Sequence, residues 1–157
     1  MSAEPVTAER FAVAEAAAAT CGAMAPNWAG LEVQLKAAGY VETDDAALKA
    51  AGRREGAVIL EDPTSGALVL IGSRGGEGTC IVGMEGLTPQ QSYGLALPWV
   101  KSFDLQTIVE RGQGLAKNAV QAWGRLEPDR DVYVAAYKTW DVLDGPGAAA
   151  RLQMSIR

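Results

Sequence analysis

The chain has 157 residues, 48% hydrophobic and 21% charged, enough to bury one core and too apolar for a disordered chain. Its net charge of −5, with no basic run longer than Arg53-Arg54, argues against nucleic acid and against an anionic membrane surface. It has no histidine, which removes Ser-His-Asp and Cys-His catalysis, and two cysteines far apart do not match a zinc site, so neither a cofactor nor a metal is expected.

Residues 1–6 are read as a flexible start. They carry no basic segment and no apolar run of signal-peptide length, which reads as cytoplasmic. "SAEPVTAERF" also fits the polar start of an exported protein whose signal peptide has been removed. No stretch reaches the ~20 apolar residues of a membrane span.

Thr7 can cap a first helix whose apolar face is Phe11, Ala14, Ala18 and Cys21, with Gly22 as its end. Pro26-Asn27 starts a second helix, faced by Trp28, Leu31, Leu35 and Ala38 and closed by Gly39. At that spacing Trp28 is a core anchor rather than a ligand platform. Thr43-Asp44-Asp45 opens a third helix that Gly52 stops. Its paired carboxylates are read as groups favoured at the positive end of the helix dipole, ahead of any catalytic role.

Cys21 falls on the buried side of the first helix. Cys21 and Cys80 are either two buried thiols or one disulfide around a 59-residue loop, worth about 4 kcal/mol. A bond would place the protein in an oxidising compartment such as a periplasm, and free thiols in the cytoplasm.

Residues 57–61, 67–71 and 79–84 then read as three strands of an antiparallel meander, with turn chemistry at 62–66. "SRGGEG" lies between two strands, not between a strand and a helix, and no Gly-Lys-Ser/Thr follows. It is therefore a flexible hairpin loop and not a phosphate cradle. Arg74 at its tip is a candidate partner contact.

Thr88, Pro89 and Gln91 make a capping box for a helix expected to reach about Leu97, where Pro98 kinks or ends it. Trp99 and Phe103 follow in an amphipathic stretch. Beyond Gly112-Gln-Gly114, residues 116–126 read as a strand with Val120, Ala122 and Gly124 opposite Trp123. Residues 131–141 alternate Val132, Val134 and Ala136 against Tyr133, Ala135 and Tyr137. After a turn at 144–147, residues 151–157 point Leu152, Met154 and Ile156 inward. The sum is a single α+β domain over 1–157. N-terminal helices, an antiparallel β-meander, a helix and a second antiparallel β-meander form a curved sheet packed by helices. The halves share a helix-then-three-strands shape, without matching residues.

Trp123, Tyr133, Tyr137 and Trp140 fall on the closing strands, with Arg125 and Lys138 nearby. They lie either beneath the helices as core, or on the open face as an apolar patch for a partner.

The Phe11…Cys21 helix, "KAAGY", "GTCIVGM" and "VQAW…VYVAAYK" resemble small exported alphaproteobacterial proteins of unknown function, which carry one cysteine in the first helix and one in the third strand. The resemblance implies a Cys21–Cys80 disulfide and no particular activity. In element order the chain is also similar to type III secretion chaperone-like and YbjN-like domains, which implies a protein partner.

The expectation is thus a non-enzymatic protein-binding module, chaperone-like, inhibitory or immunity-type, with no catalytic residue. Its candidate binding residues are Arg74, Trp123, Tyr133, Tyr137 and Trp140, and a homodimer is left open. One alternative is a small-ligand carrier with a pocket between sheet and helices. Another is a carboxylate-dependent hydrolase using Glu61, Asp62 and Glu85 at strand ends.

Overall fold

A computed structural model describes residues 6–54, 56–108, 118–143 and 145–156. The first helix, α1 (Ala8–Met24), begins where extended Thr7 accepts a hydrogen bond from the Arg10 N–H at 3.2 Å. It does not stop at Gly22. It ends at Met24, because Pro26 disfavours helical backbone at Ala25, which is extended at φ −60° and ψ 136°. Gly22 instead admits a neighbour: a Cβ there would stand 2.9 Å from Trp99 Cδ1. Val6, expected in a flexible start, is buried against the main core, while 1–5 lie outside the described residues.

In α2 (Trp28–Ala37), Asn27 caps the start and Trp28, Leu31 and Leu35 are buried. Ala38, expected on that face, is exposed. A two-residue strand, β1 (Val41–Glu42), leads to α3 (Ala46–Arg54). Asp45 Oδ1 accepts from the Ala47 and Leu48 N–H groups, so this carboxylate caps the helix as expected. Gly52 lies inside α3 and does not end it. A Cβ at 52 would meet the Ala57 carbonyl oxygen at 2.9 Å, so its absence lets the helix lie against the neighbouring strand.

That strand is β2 (Ala57–Glu61), followed by β3 (Leu68–Arg74) and β4 (Glu77–Gly83) in an antiparallel meander. The strands run on into "SRGGEG": Arg74 pairs with Glu77, and only Gly75-Gly76 remain as the turn. Gly75 takes the positive φ, 61°, that such a two-residue hairpin requires.

The capping box of α4 (Pro89–Ser102) is complete, with Thr88 and Gln91 exchanging hydrogen bonds. Pro98 sits inside this helix rather than ending it. The proline is exposed, while Leu95, Ala96 and Trp99 around it are buried, so packing on both sides holds the helix through it.

Four strands close the chain: β5 (Gln106–Thr107), β6 (Ala119–Leu126), β7 (Arg130–Tyr137) and β8 (Ala149–Ile156). The expected strand start at 116, Gly112, Gly114, Asp144 and Arg157 lie outside the described residues. Ile156, expected inward, is 45% exposed, because it extends past the core.

The two meanders join through β4 and β8 into one eight-stranded antiparallel sheet, in the order β1-β2-β3-β4-β8-β7-β6-β5. This is the α+β arrangement expected from the sequence, with a two-residue strand added at each edge. Short edge strands leave little backbone for pairing with another chain. One face carries Val69, Val82, Val134 and Leu152 under α1, α2 and α4. On the other, α3 and the segment after β7 cover Ile59, Leu70 and Ile81 with Ala51 and Trp140.

Cys21 on α1 and Cys80 on β4 are bonded, at S–S 2.00 Å, and both are fully buried. The bond spans 59 residues, so by loop-closure entropy its loss costs about 4 kcal/mol. A Cys21→Ala/Cys80→Ala protein is expected to unfold at correspondingly lower urea. An unchanged urea midpoint would show that the crosslink adds nothing.

Candidate functional site

Strand alternation puts Arg74, Glu77, Thr79, Arg151, Gln153, Tyr133 and Tyr137 on the face away from α1, α2 and α4. The β2–β3 end of that face is covered by α3; further along it carries Thr79, Arg151 and Gln153, and Ala122 and Ala135 on the same face are fully buried. At its centre stands Arg151 on β8, half-buried. Its Nε donates to Thr79 Oγ1 at 3.1 Å, and Thr79 Oγ1 donates to the Leu152 carbonyl at 3.1 Å. Gln153 Nε2 donates to Glu77 Oε1 at 3.1 Å.

Among the described residues no ion pair neutralises Arg151. Two recesses open beside it. One, about 220 Å³, is lined by Ser73, Arg74, Glu77, Thr79 and Arg151. The other, about 250 Å³, is lined by Asn118, Tyr137, Trp140, Asp141 and Arg151. A guanidinium fixed through one nitrogen keeps two terminal nitrogens to offer a planar anion such as a carboxylate.

The candidate binding residues divide between the two faces. Arg74 is exposed and shares the open face, but it ends β3 rather than tipping a loop. Tyr133 and Tyr137 are half-buried there. Trp140, expected on the strand, lies past the end of β7 at Tyr137; it is 8% exposed, packed with the Ile81 and Leu70 cluster, and lines one recess. Trp123 is different. Its register with Val134 turns it under the helices, where it is 4% exposed and its ring centroid lies 5.4 Å from that of Tyr93. Burial there makes it core. Arg151 is the residue that sequence reasoning passed over. Its signal was slight: an arginine flanking the inward Leu152 on a strand now seen to be central.

The three carboxylates considered for hydrolysis also separate. Glu61 and Glu85 line one recess of about 310 Å³ with Arg10, Asp45, Leu68 and Leu143. Asp62 turns into the β2–β3 connection, where its Oδ2 accepts from the Ser65 hydroxyl at 2.6 Å. Asp45 is occupied as a helix cap. Among the described residues, no group of three or more His, Cys, Asp or Glu is placed to hold a metal ion.

A third feature is an apolar groove of about 360 Å³ where α1 meets the end of α2. Ala12, Val13, Ala16, Leu35 and Ala38 form its walls, and Thr20, Tyr40 and Asp62 its polar part. Tyr40 is 6% exposed and its hydroxyl has no hydrogen-bond partner. Burial, and then the negative charge of Asp62, pushes the phenol up to about 12.

Comparison of the chain with protein-family models, with curated proteins and with solved structures finds no match. The site is therefore read from its own residues.

Tyr40 makes stability depend on alkaline pH. The unfolded phenol ionises near 10.0 and the folded one near 12, so the folded state holds the proton more tightly. That contribution is complete below pH 10 and is lost as pH rises through 12. Between pH 10 and 12 the Tyr40→Phe protein is expected to lose less stability than the wild type, read by urea unfolding at each pH. Parallel losses would show an unshifted phenol.

Proposed function

We propose that the chain is a non-enzymatic binding module that takes an acidic segment of another protein on the open half of its sheet. The observation that carries this reading is Arg151, half-buried on a central strand and without an acidic partner among the described residues. A partly buried cation is costly to desolvate and strengthens any contact that neutralises it. Arg74 adds a second cation to the same recess, and Tyr137 gives a flat aromatic edge beside the other. Arginine and tyrosine are the residue types that dominate protein–protein contact energies. No histidine exists to serve as a base at this face. The buried disulfide supports an oxidising compartment, such as a periplasm, as the place of action.

The test is capture of a partner from the organism that encodes the protein, using tagged wild type, Arg151→Ala and Tyr137→Ala in parallel. A protein recovered stoichiometrically with wild type should be lost or reduced at least tenfold with Arg151→Ala, since a charge-assisted bond is worth about 1.5–3 kcal/mol. Stability of the Arg151 variant should stay near that of wild type, because Thr79 keeps its bond to the Leu152 carbonyl. Equal recovery by all three proteins would remove the open face from the reading.

A further inference from the structure

A groove of about 700 Å³ lies between the start of α2 and the end of α3, apart from the open sheet face. Val58 and Ile71, on the helix-covered side of β2 and β3, form its apolar floor. Trp28 closes one side. It is 9% exposed, and its indole nitrogen donates to no group among the described residues. That nitrogen is not sealed in. Among the described buried side-chain nitrogens and oxygens, only the Tyr40 hydroxyl lacks both a partner and contact with solvent. The indole nitrogen stands over Gly78, where a Cβ would overlap it, beside Ser73, the ladder partner of Gly78 and part of the groove lining.

Arg53 lines the groove from the last turn of α3, where its carbonyl accepts from the Gly56 N–H at 3.1 Å, next to the start of β2. A cation suits a helix C-terminus, but the donors of this one stay unused. Arg53 is exposed and makes no ion pair among the described residues. Glu32, the carboxylate among the described lining residues, is held by Lys36 at 2.8 Å, so its charge is already answered. Two strand spacings, about 10 Å, separate β2 from Gly78 on β4. An arginine side chain and a carboxylate span that gap together. We infer that this groove is a binding site for a small apolar carboxylate, which pairs with Arg53, accepts from the Trp28 indole and lays its hydrocarbon part over Val58 and Ile71. An amine is repelled by Arg53. An alcohol leaves the arginine charge unanswered.

The probes are hexanoate, hexanol and hexylamine, added to the intact disulfide-bonded chain and followed by amide and indole chemical shifts. Hexanoate is expected to move the Trp28 indole N–H and the Val58 and Ser73 amide resonances saturably, with hexanol and hexylamine at least about fivefold weaker. Arg53→Gln, at an exposed position, should weaken hexanoate about fivefold and leave hexanol and the ligand-free melting temperature unchanged. Arg151→Ala should leave hexanoate unchanged, because the groove is distinct from the face proposed for the protein partner. The inference is overturned by four results: no saturable shift of the Trp28 indole, equal hexanoate affinity in Arg53→Gln, hexanol or hexylamine binding as tightly as hexanoate, or loss of hexanoate binding in Arg151→Ala, which would put the carboxylate on the open face.

Discussion

How closely α1 can approach the sheet and α4 governs the whole covered face. Its buried positions are Ala14, Ala17, Ala18 and Cys21, all small. That narrow stripe lets the Cys21 and Cys80 Cα atoms come within 6.3 Å, so the helix is bonded to a central strand. The same approach brings the Trp99 indole N–H within 2.7 Å of the Ala18 carbonyl, which accepts it alongside its helical bond. The missing Cβ at Gly22 makes room for that ring. A larger residue at 18 or 22 would lift the helix and strain three elements together. Close packing of this kind leaves few ways for the core to relax.

Local chemistry was legible wherever a residue acts on its own neighbours. The caps at Thr7, Asn27 and Thr88 and the helix-starting Asp45 follow from side chains that bond backbone groups three positions away or fewer. Gly22 and Gly52, read as helix ends, and Pro98, read as kinking or ending its helix, all lie inside helices for one reason. In each case tertiary packing outweighs a local propensity of about 1–3 kcal/mol. Trp99 lies against the first and the Ala57 carbonyl against the second. Buried Leu95 and Trp99 hold the helix on either side of the third. None of these partners is near in sequence.

Alternation along the closing strands gave two sets of side chains but not the side on which each lies, and it misplaced Val120, which the irregularity between Ala119 and Gln121 turns against the main core with Trp123. That choice depends on the β4–β8 pairing, which matches Cys80 with Leu152 across 72 positions. Once Leu152 faces the helices, Val134 and Trp123 follow through the register, and Tyr133, Tyr137 and Arg151 face the other way. Arg151 carried no motif. Its interest comes from half-burial, one hydroxyl contact and the lack of an ion pair among the described residues, none of which has a sequence signature. Tyr40 was hidden similarly, as the residue after a helix-ending glycine in "KAAGY".

The open face follows from an asymmetry between the two meanders. The strand order is nearly mirrored about the β4–β8 join, with a two-residue strand at each end. Each meander is preceded by a helix on the covered face, α1 and α2 for the first and α4 for the second. Only the first has a described helix on the opposite face, α3, which seals Ile59, Leu68 and Leu70. The segment after β7 extends that seal as far as Ile81 and Ala149 through Trp140. Past Trp140 the strands carry Arg151, Gln153, Thr79 and the tyrosines, with Ala122 and Ala135 fully buried on the same face. A sheet built for two covered sides would place branched apolar residues there. The change of composition along one face, from Leu70 and Ile81 to Arg151 and Gln153, marks where the fold stops serving its own core.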